Sequence, residues 1–310
     1  MTLQQLEYLV ALDNHRHFVR AAEHCFVTQP TLTLQIQKLE DEMGAQIFDR
    51  SKHPIAPTPL GEMVILKARQ ILRETQQLKE LVNEQRDGME GTFRLGVIPT
   101  LAPYLVPRFL RGFSKQYPKT RLVIKEIESE AIIKGLNNDL IDIGLLVTPL
   151  EENNLREIPL FNEPFLLYSS ENHPLYHKPT VKAEEINTKG LWLLNQGHCF
   201  RNQVLNICDS RGGGAGNNVA YESGSIETLK NLVKWNMGYT LVPELSVLHE
   251  MTNPMIKRFS KPEPVREVSL VVHKSFTKEA LIGKLREQIL SNIPESFTKS
   301  TKRFYKVAWR

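Results

Sequence analysis

The 310-residue sequence predicts an α/β protein with a small helical domain first, then a long connecting helix, then a larger domain of alternating strands and helices. Two patterns carry this prediction. Apolar residues recur at helical spacing through residues 1–90, whereas residues 91–298 alternate between short apolar runs typical of strands and amphipathic stretches typical of helices. A chain of this length is expected to form two or three domains.

Composition and charge narrow the class of protein. The N-terminus lacks a basic segment followed by an apolar one, and no apolar run approaches the roughly 20 residues that cross a bilayer. We therefore expect a cytoplasmic protein whose cysteines, Cys25, Cys199 and Cys208, are reduced thiols. The net charge of +4 does not locate a nucleic-acid surface, because residues 1–90 carry ten Lys/Arg and thirteen Asp/Glu. Residues 299–310 carry five basic and no acidic residues, which is typical of a solvated end.

The helical domain is expected to begin with two short helices. Apolar residues repeat at helical spacing in residues 3–10, and a second helix is expected to start at Phe18. After a third helix and a short apolar strand, residues 51–57 are expected to form a wing. From residue 58 a helix of about 40 Å is expected to run to about residue 87. It is only half apolar, so we expect it to pack against a partner helix and dimerise the chain.

The third helix carries the candidate DNA-binding surface. Thr28 is placed to cap it, and Pro30 falls in its first turn, where a missing N–H costs least. Leu32, Ile36 and Leu39 are expected to face the core. Hydroxyl and amide groups on the other faces suit base edges and phosphates in a major groove, and basic side chains of the wing suit phosphates or the minor groove. The residues that we predict to contact DNA are Thr28, Gln29, Pro30, Thr31, Thr33, Gln35, Lys38, Arg50 and Lys52.

A series of motifs in this region resembles the LysR-type transcriptional regulators. The matching segments are residues 17–23 (HFVRAAE), 27–33 (VTQPTLT), 36–40 (IQKLE), Gly44, 48–50 (FDR) and 58–61 (TPLG). Agreement at so many positions in order is far more specific than a pair of short amphipathic helices. The resemblance implies a winged helix-turn-helix, a dimer or tetramer joined through the long helix, and a two-fold-related site on double-stranded DNA.

The larger domain begins with a strand–helix–strand–helix–strand order. Strands are expected at 93–98, 122–127 and 141–146, with helices at 104–117 and 129–138, which predicts a parallel sheet with flanking helices. Residues 163–169 are expected to open a second unit, and a strand at 265–273 and a helix at 278–293 close the domain. The resemblance implies two Rossmann-like subdomains around a cleft, like a periplasmic binding protein, with ligands held between them.

These observations predict four segments. They are a winged helix-turn-helix domain at 1–58, a linker and dimerisation helix at 59–90, a regulatory domain at 91–298 and a basic tail at 299–310. Within the regulatory domain, subdomain I covers about 91–162 and 268–298, and subdomain II about 163–267. The tail lies outside the resemblance and no function is predicted for it.

The sequence lacks the motifs of common enzymes and metal sites. It contains no H-E-x-x-H, Walker A or G-x-S-x-G pattern, and its nine histidines are scattered. The glycine-rich stretch at 210–216 follows a predicted helix instead of opening one after a strand, so we expect a flexible loop and no phosphate cradle. We expect no enzymatic activity, no metal and no cofactor.

Cys199 and Cys208 are the residues with candidate chemistry. A predicted strand leads to a turn at Gly197 and a helix that starts at His198 and Cys199, so the helix N-terminus, His198 and Arg201 are all expected to lower the pKa of Cys199. In one straight helix the two thiols would lie about 13 Å apart on opposite sides, whereas a disulfide needs Cα atoms within roughly 7 Å. A bond would require the helix to bend or unwind, with the glycine-rich stretch as slack. The alternative is a pair of inert buried thiols.

The cysteines extend the resemblance to the hydrogen-peroxide-sensing members of the LysR family. The further matches are residues 197–201 (GHCFR) with Cys208, 98–100 (IPT), 224–233 (GSIETLKNLV) and the region of Arg266. The resemblance implies that Cys199 attacks peroxide and that Cys208 then forms a disulfide with it. The implied peroxide pocket consists of Thr100, Ser129, His198 and Arg266. Ser129 stands where the family usually has threonine, so it keeps the hydroxyl but loses a methyl, and helix capping is an alternative role for Thr100 and Ser129.

The remaining expectations concern partners. The resemblance implies double-stranded DNA, further copies of the chain, RNA polymerase, hydrogen peroxide and a thiol reductant such as glutaredoxin or thioredoxin, and no membrane. Cys25 is expected to pack in the helix-turn-helix core, and Asp142 matches an acid near the dimer-facing strand of the family without an assigned role. Two alternatives stay open: a LysR-type regulator that binds a small-molecule effector in the cleft, with incidental cysteines, and a thiol peroxidase.

Overall fold

A computed structural model of the chain describes residues 1–83, 89–208, 221, 223–298 and 304–309. The chain divides into two compact units, Met1–Gly88 and Met89–Arg310. The predicted order of a helical unit followed by an α/β unit is confirmed. In the part of the chain that the structure describes, no helix is both long and apolar enough to span a membrane.

The first unit combines helices with a two-stranded hairpin. Its elements are α1 (Leu3–His15), α2 (Phe18–His24), α3 (Gln29–Met43), β1 (Phe48–Asp49), β2 (Ala56–Pro57) and α4 (Pro59–Asn83). β1 and β2 pair antiparallel, and the predicted wing at residues 51–57 consists of the segment that connects them together with β2 itself. The predicted end of α4 near residue 87 and the glycine-rich stretch at 210–216 lie outside the described residues.

The ends of α3 follow from its sequence. Thr28 is the N-cap, and its hydroxyl accepts a hydrogen bond from the backbone N–H three residues on, at 3.4 Å. Gly44 ends the helix in the left-handed region, with φ of 65°, which favours glycine. Leu32, Ile36 and Leu39 are fully buried in the core of this unit, as predicted. The periodicity of these three residues therefore fixes which face of α3 remains outside.

The second unit contains strands and helices in alternation. Its described strands are β3 (Gly91–Val97), β4 (Thr120–Glu126), β5 (Ile143–Thr148), β6 (Leu155–Ser169), β7 (Thr180–Val181), β8 (Leu191–Trp192), β9 (Tyr239–Pro243), β10 (Ile256–Phe259), β11 (Glu263–His273) and β12 (Phe304–Lys306). Its described α-helices are α5 (Ala102–Gln116), α6 (Ser129–Asn137), α7 (Cys199–Ile207), α8 (Ile226–Lys234) and α9 (Glu279–Leu290).

The strands of this unit form a mixed sheet. The main path runs β4-β3-β5-β11-β6-β10-β7, with β9 also paired to β6, β8 to β9 and β12 to β11. β3 pairs parallel with β4 and β5, as predicted. β11, however, is antiparallel to both β5 and β6. The prediction of a parallel sheet for residues 93–146 is therefore confirmed, and the antiparallel pairs belong to the long strands β6 and β11, whose direction the sequence does not predict.

β6 and β11 connect two hydrophobic cores. The first, around β3, β5, α5, α6 and α9, defines what we call lobe 1, and the second, around β9, α7 and α8, defines lobe 2. The first part of β6 pairs with β11, and its last part pairs with β9 and β10. The predicted subdomain boundaries at 162/163 and 267/268 fall inside β6 and β11. The lobes are therefore joined by two continuous strands.

The tail contains ordered structure. β12 pairs parallel with the start of β11, and the Val307 N–H donates to the Val265 carbonyl at 2.9 Å. Val307 and Trp309 are buried, in the cores of lobe 2 and lobe 1 respectively. The expected solvated end is therefore wrong for residues 304–309, because two apolar side chains among the basic ones bury this segment.

Candidate functional site

Cys199 is the first residue of α7, at the end of the predicted strand–turn–helix segment. Gly197 forms the turn with φ of 98°, a conformation that favours glycine, and His198 is the N-cap. A Cβ atom at position 197 would approach a carboxylate oxygen of Glu128 to 2.5 Å. Both the backbone conformation and the nearby carboxylate therefore require glycine before the cysteine.

The Cys199 thiol is buried, with 4% of the residue exposed. Burial raises its pKa, and the Ser129 hydroxyl, the charge of Arg266 and the Phe200 N–H oppose this shift without reversing it. The prediction that the pKa of Cys199 is lowered is wrong for this conformation, because desolvation of the thiolate outweighs the groups that favour it. At neutral pH the thiol form therefore predominates.

His198 and Arg201, the two basic neighbours expected to activate Cys199, do not supply the positive charge that favours its thiolate. Burial lowers the pKa of His198, so its imidazole is mainly neutral at neutral pH, and its Nε2 would lie 3.1 Å from a Cβ at Gly224. Arg201 donates a hydrogen bond to a backbone carbonyl at 2.8 Å. The charge that favours the thiolate comes instead from Arg266, on β11.

Arg266 is fully buried at the centre of a polar network. Its Nη1 donates to Thr100 Oγ1 at 2.8 Å, and its Nη2 donates to the Thr100 carbonyl at 3.1 Å. Nε donates to Glu163 Oε2 at 2.9 Å, and Nη2 lies 2.7 Å from the same oxygen. The other Glu163 oxygen accepts the Leu245 N–H at 2.8 Å. The network thus neutralises the guanidinium while it ties β11 to β6 and to the loop after β3.

The structure brings the predicted pocket residues close to Cys199. The structure brings together Thr100, Ser129, Cys199 and Arg266. His198 adjoins them as the N-cap of α7. The alternative role of Thr100 and Ser129 as helix caps is wrong, because the N-caps of α5 and α6 are Leu101 and Glu128.

Cys208 lies at the opposite end of α7. It is the C-cap residue, it is buried in the core of lobe 2, and burial raises its pKa to about 11. Both cysteines are free thiols. An uninterrupted helix separates them by about 13 Å, so the thiols cannot bond while α7 is intact.

Most of the predicted DNA-contacting residues are exposed. Those with exposed side chains are Thr28, Gln29, Pro30, Thr31, Lys38, Arg50 and Lys52. Gln35 is half-buried and accepts a hydrogen bond from Gln5 at 3.3 Å. The Thr33 hydroxyl oxygen is buried, so the prediction that this group faces outward is wrong. Thr33 lies next to Leu32 and three residues before Ile36, at the edge of the inner face of α3.

Arg50 has an internal partner. Its Nη2 donates to Glu40 Oε2 at 2.7 Å, and the other oxygen of Glu40 accepts two backbone N–H groups at the start of β1, at 2.8 and 3.1 Å. Arg50 therefore helps to hold the hairpin, although 41% of its side chain is exposed. Lys52 is 64% exposed and lies 3.9 Å from Asp49, so it offers the more accessible charge of the wing.

Asp142 and Cys25, which the sequence analysis also singled out, both have contacts within the protein. Asp142 accepts hydrogen bonds from the Arg94 side chain at 3.0 and 2.6 Å. Cys25 is half-buried against the core of the first unit, in line with the expected packing role, and burial raises its pKa. Among the described residues, no group of three or more His, Cys, Asp or Glu is arranged to hold a metal ion.

Sequence reasoning does not identify Glu163. The available signal is Arg266, which lies in a strand rich in valine and leucine, where a buried arginine needs an acidic partner. Its partner lies 103 residues away, so the sequence does not reveal which acid it is. The tail contacts are also missed, although Val307 and Trp309 interrupt its basic composition.

Two protein families match the chain. The bacterial regulatory helix-turn-helix proteins of the lysR family match residues 3–62, and the LysR substrate binding domain matches residues 86–293. The hydrogen peroxide-inducible genes activator of Haemophilus influenzae is 37% identical over 273 residues, which cover 87% of this chain and 90% of that protein. The DNA-binding transcriptional dual regulator OxyR of Escherichia coli is 35% identical over 304 residues, which cover 97% and 99%.

Solved structures agree with these matches. Full-length OxyR C199D from Pseudomonas aeruginosa matches with a TM-score of 0.80 and 33% identity, over 94% of this chain and 99% of that chain. The LysR resemblance and the fold class predicted from the sequence are thereby confirmed. The chain belongs to the LysR family of bacterial transcription regulators, within its OxyR group.

Proposed function

We propose that the protein is a redox-sensing transcription regulator that hydrogen peroxide switches at Cys199. The observation that carries the proposal is that Cys199 and Cys208 lie at opposite ends of α7, the first in the core of lobe 1 and the second in the core of lobe 2. Ser129 and Arg266 favour the thiolate of Cys199. Relatives named as hydrogen peroxide-inducible genes activators support the choice of oxidant. The family supports a regulator and not an enzyme.

The first step oxidises Cys199. Its thiolate attacks one oxygen of hydrogen peroxide, an S–O bond forms, the O–O bond breaks, and the departing hydroxide takes a proton to become water. The Ser129 hydroxyl and the Arg266 guanidinium stabilise the negative charge as it moves from sulfur to the leaving oxygen. Thr100, fixed by Arg266, and His198, at the start of α7, complete the proposed pocket.

The second step forms the disulfide. The Cys208 thiolate attacks the sulfenic sulfur of Cys199, the S–O bond breaks, and the released hydroxide becomes a second water. In sum, two thiols give two electrons to one peroxide and yield a disulfide and two waters. Since the bond requires Cα atoms within roughly 7 Å, α7 must unwind, which makes it the two-state element of the switch. A thiol reductant such as glutaredoxin or thioredoxin returns two electrons and resets it.

The output of the switch is DNA binding in the cytoplasm. The exposed N-terminal part of α3 suits the major groove, and Lys52 on the wing suits a phosphate. α4 exposes a series of large apolar side chains that favours a homodimer or a homotetramer: Leu60, Met63, Leu66, Ile71 and Leu78. Rearrangement of the regulatory unit would change the spacing of the DNA-binding heads and hence contact with RNA polymerase.

The test of this proposal is the variant Cys208→Ser. After one equivalent of peroxide, thiol-trapping mass spectrometry of the parent protein should find Cys199 bonded to Cys208 and Cys25 free. The variant should retain a trappable sulfenic acid at Cys199, and its DNA footprint should not respond to peroxide. Cys25→Ser is the control, and it should behave as the parent does.

Two outcomes contradict the proposal. If Cys208→Ser keeps peroxide-dependent footprints and gel mobility, the disulfide is not the switch. If peroxide leaves both thiols of the parent unmodified while calorimetry detects a bound metabolite, the protein is instead a LysR-type regulator with a small-molecule effector. Many peroxide turnovers per chain in the presence of reductant would indicate a thiol peroxidase.

The rate of the first step is expected to rise with pH. Because burial raises the pKa of Cys199, the thiolate is a minor species at neutral pH, and its fraction grows about tenfold per pH unit below the pKa. The second-order rate constant for thiol loss should therefore rise about tenfold between about pH 6.5 and 7.5. Ser129→Ala should lower this constant by about tenfold at each pH, because the thiolate loses a hydrogen bond. A constant that does not change over this range would contradict the buried, mainly protonated thiol.

A further inference from the structure

Residues 304–309 are the part of the tail that the structure describes, and they lie along α7. Three side chains of this helix donate hydrogen bonds to three successive backbone carbonyls of the tail. Asn202 Nδ2 donates to the Trp309 carbonyl at 3.1 Å. Gln203 Nε2 donates to the Val307 carbonyl at 3.0 Å, and Asn206 Nδ2 donates to the Ala308 carbonyl at 2.8 Å. The contact surface on α7 therefore lies between the two cysteines.

The tail is also fixed at points away from α7. β12 continues the sheet beside β11, and Lys306 forms an ion pair with Glu267 of that strand. Trp309 Nε1 donates to the Pro149 carbonyl at 2.9 Å. Val307 packs in the core of lobe 2 and Trp309 in the core of lobe 1. The tail thus has its own attachment to both lobes and presents its carbonyls to α7 from a fixed position.

The three hydrogen bonds between α7 and the tail require that α7 be helical. Residues at i, i+1 and i+4 of an α-helix fall within about 100° of arc around its axis, so Asn202, Gln203 and Asn206 reach the tail together only while α7 is helical. Gln203 is fully buried, so loss of its hydrogen bond would leave a polar group without a partner in the protein interior. Unwinding of α7 therefore breaks these contacts as a group.

We propose that the tail is a clamp that holds α7 in the helical, reduced form, so that it sets how readily the Cys199–Cys208 disulfide forms. This inference rests on the proposed function and adds a regulatory element to it. The clamp opposes oxidation, because every contact that stabilises helical α7 must be given up before the thiols can meet. It also favours resetting, since the tail rebinds α7 as soon as the helix reforms.

The first test removes the clamp contacts from α7 through the double variant Asn202→Val, Asn206→Val. Both side chains are exposed, and valine has about the same helix propensity as asparagine, so the variant removes the amides without itself stabilising or weakening helical α7. In a glutathione redox buffer, the equilibrium constant for disulfide formation should increase about tenfold, since each lost hydrogen bond contributes a factor of about three at an exposed position. This corresponds to a reduction potential about 30 mV more negative. Gln288→Ala, which removes an exposed amide from α9, is the matched control and should leave the constant unchanged.

The second test follows the tail directly by trypsin cleavage after Lys306, which intact-mass spectrometry detects as loss of residues 307–310. In the reduced parent, burial of Val307 and Trp309 should protect this site. Oxidation of the parent should accelerate cleavage about tenfold, and the reduced double variant should already be cleaved faster than the reduced parent. A chain truncated after Arg303 should show at least the tenfold increase in the disulfide constant.

Failure of the clamp and failure of the proposed function give different results. If the parent forms no Cys199–Cys208 bond under peroxide, the proposed function is overturned in the parent itself, whatever the variants do. If the parent forms the bond but the double variant has the same equilibrium constant and the tail stays equally protected in both redox states, the clamp is overturned and the disulfide switch stands.

Discussion

Replacement of Arg266 by methionine is expected to lower the free energy of unfolding of the second unit by about 3–5 kcal/mol. The guanidinium is fully buried, and the carboxylate of Glu163, also fully buried, would lose its charged partner. An uncompensated charge in a dry interior is far more costly than the loss of a surface ion pair, which contributes about 0–1 kcal/mol. The side chain of Thr100 would also lose a hydrogen-bond donor.

Urea unfolding followed by tryptophan fluorescence measures this effect. The three tryptophans, Trp192, Trp235 and Trp309, all lie in the second unit, so the signal reports that unit alone. The control is the double variant Arg266→Met, Glu163→Gln, in which no charge is left unpaired. It should recover more than half of the lost free energy of unfolding. If the single and double variants are equally unstable, the cost lies in packing and not in the buried charge.

Replacement of Gly61 by alanine is expected to destabilise the first unit by about 3 kcal/mol and to weaken DNA binding. A Cβ atom at this position would overlap the Ile47 carbonyl, which is backbone and cannot rotate away. That carbonyl already accepts the Thr58 N–H at 2.9 Å, and the Gly61 N–H bonds to the Thr58 hydroxyl at 2.9 Å. The start of α4 would have to move away from the segment that leads into β1, and the wing would move with it.

Two measurements check this result. Hydrogen-exchange mass spectrometry should find faster exchange in peptides of residues 1–83, and fluorescence anisotropy with labelled duplex DNA at low salt should find weaker binding. The control is Gly283→Ala in the interior of α9, where a Cβ would meet no atom of the described residues within 4 Å. There alanine should stabilise the second unit by about 0.5–1 kcal/mol. Unchanged exchange and DNA binding in Gly61→Ala would contradict the predicted steric overlap.

The sequence predicts well those features that depend on local patterns. The start and end of α3 follow from Thr28 and Gly44, and its buried face from three apolar residues at helical spacing. The position of Cys199 at the start of a helix follows from the turn at Gly197. The convergence of Thr100, Ser129 and Arg266 on that cysteine follows only from the family resemblance, because no local pattern connects three residues so far apart in the chain.

The features that sequence does not predict depend on tertiary packing. The direction of the Cys199 pKa shift is decided by burial, and burial is set by elements distant in the chain. The antiparallel course of β6 and β11 depends on how two long strands pass between two cores. The course of residues 304–309 depends on an edge of β11 and on three amides of α7, which no composition of the tail reveals.

The distance that α7 keeps between its two cysteines delays the formation of the disulfide. Under the proposed chemistry, the sulfenic acid at Cys199 persists until the helix opens, because Cys208 cannot reach it earlier. During that delay two small cellular thiols can reduce the intermediate in turn: the first forms a mixed disulfide with Cys199 and releases water, and the second attacks that disulfide, leaves as a free disulfide with the first, and restores the Cys199 thiol. After a brief pulse of oxidant this reduction would restore the Cys199 thiol. Under sustained oxidant Cys199 would be oxidised again until the helix opens and the disulfide forms. The helix would thus make the response depend on how long the oxidant is present as well as on which oxidant it is.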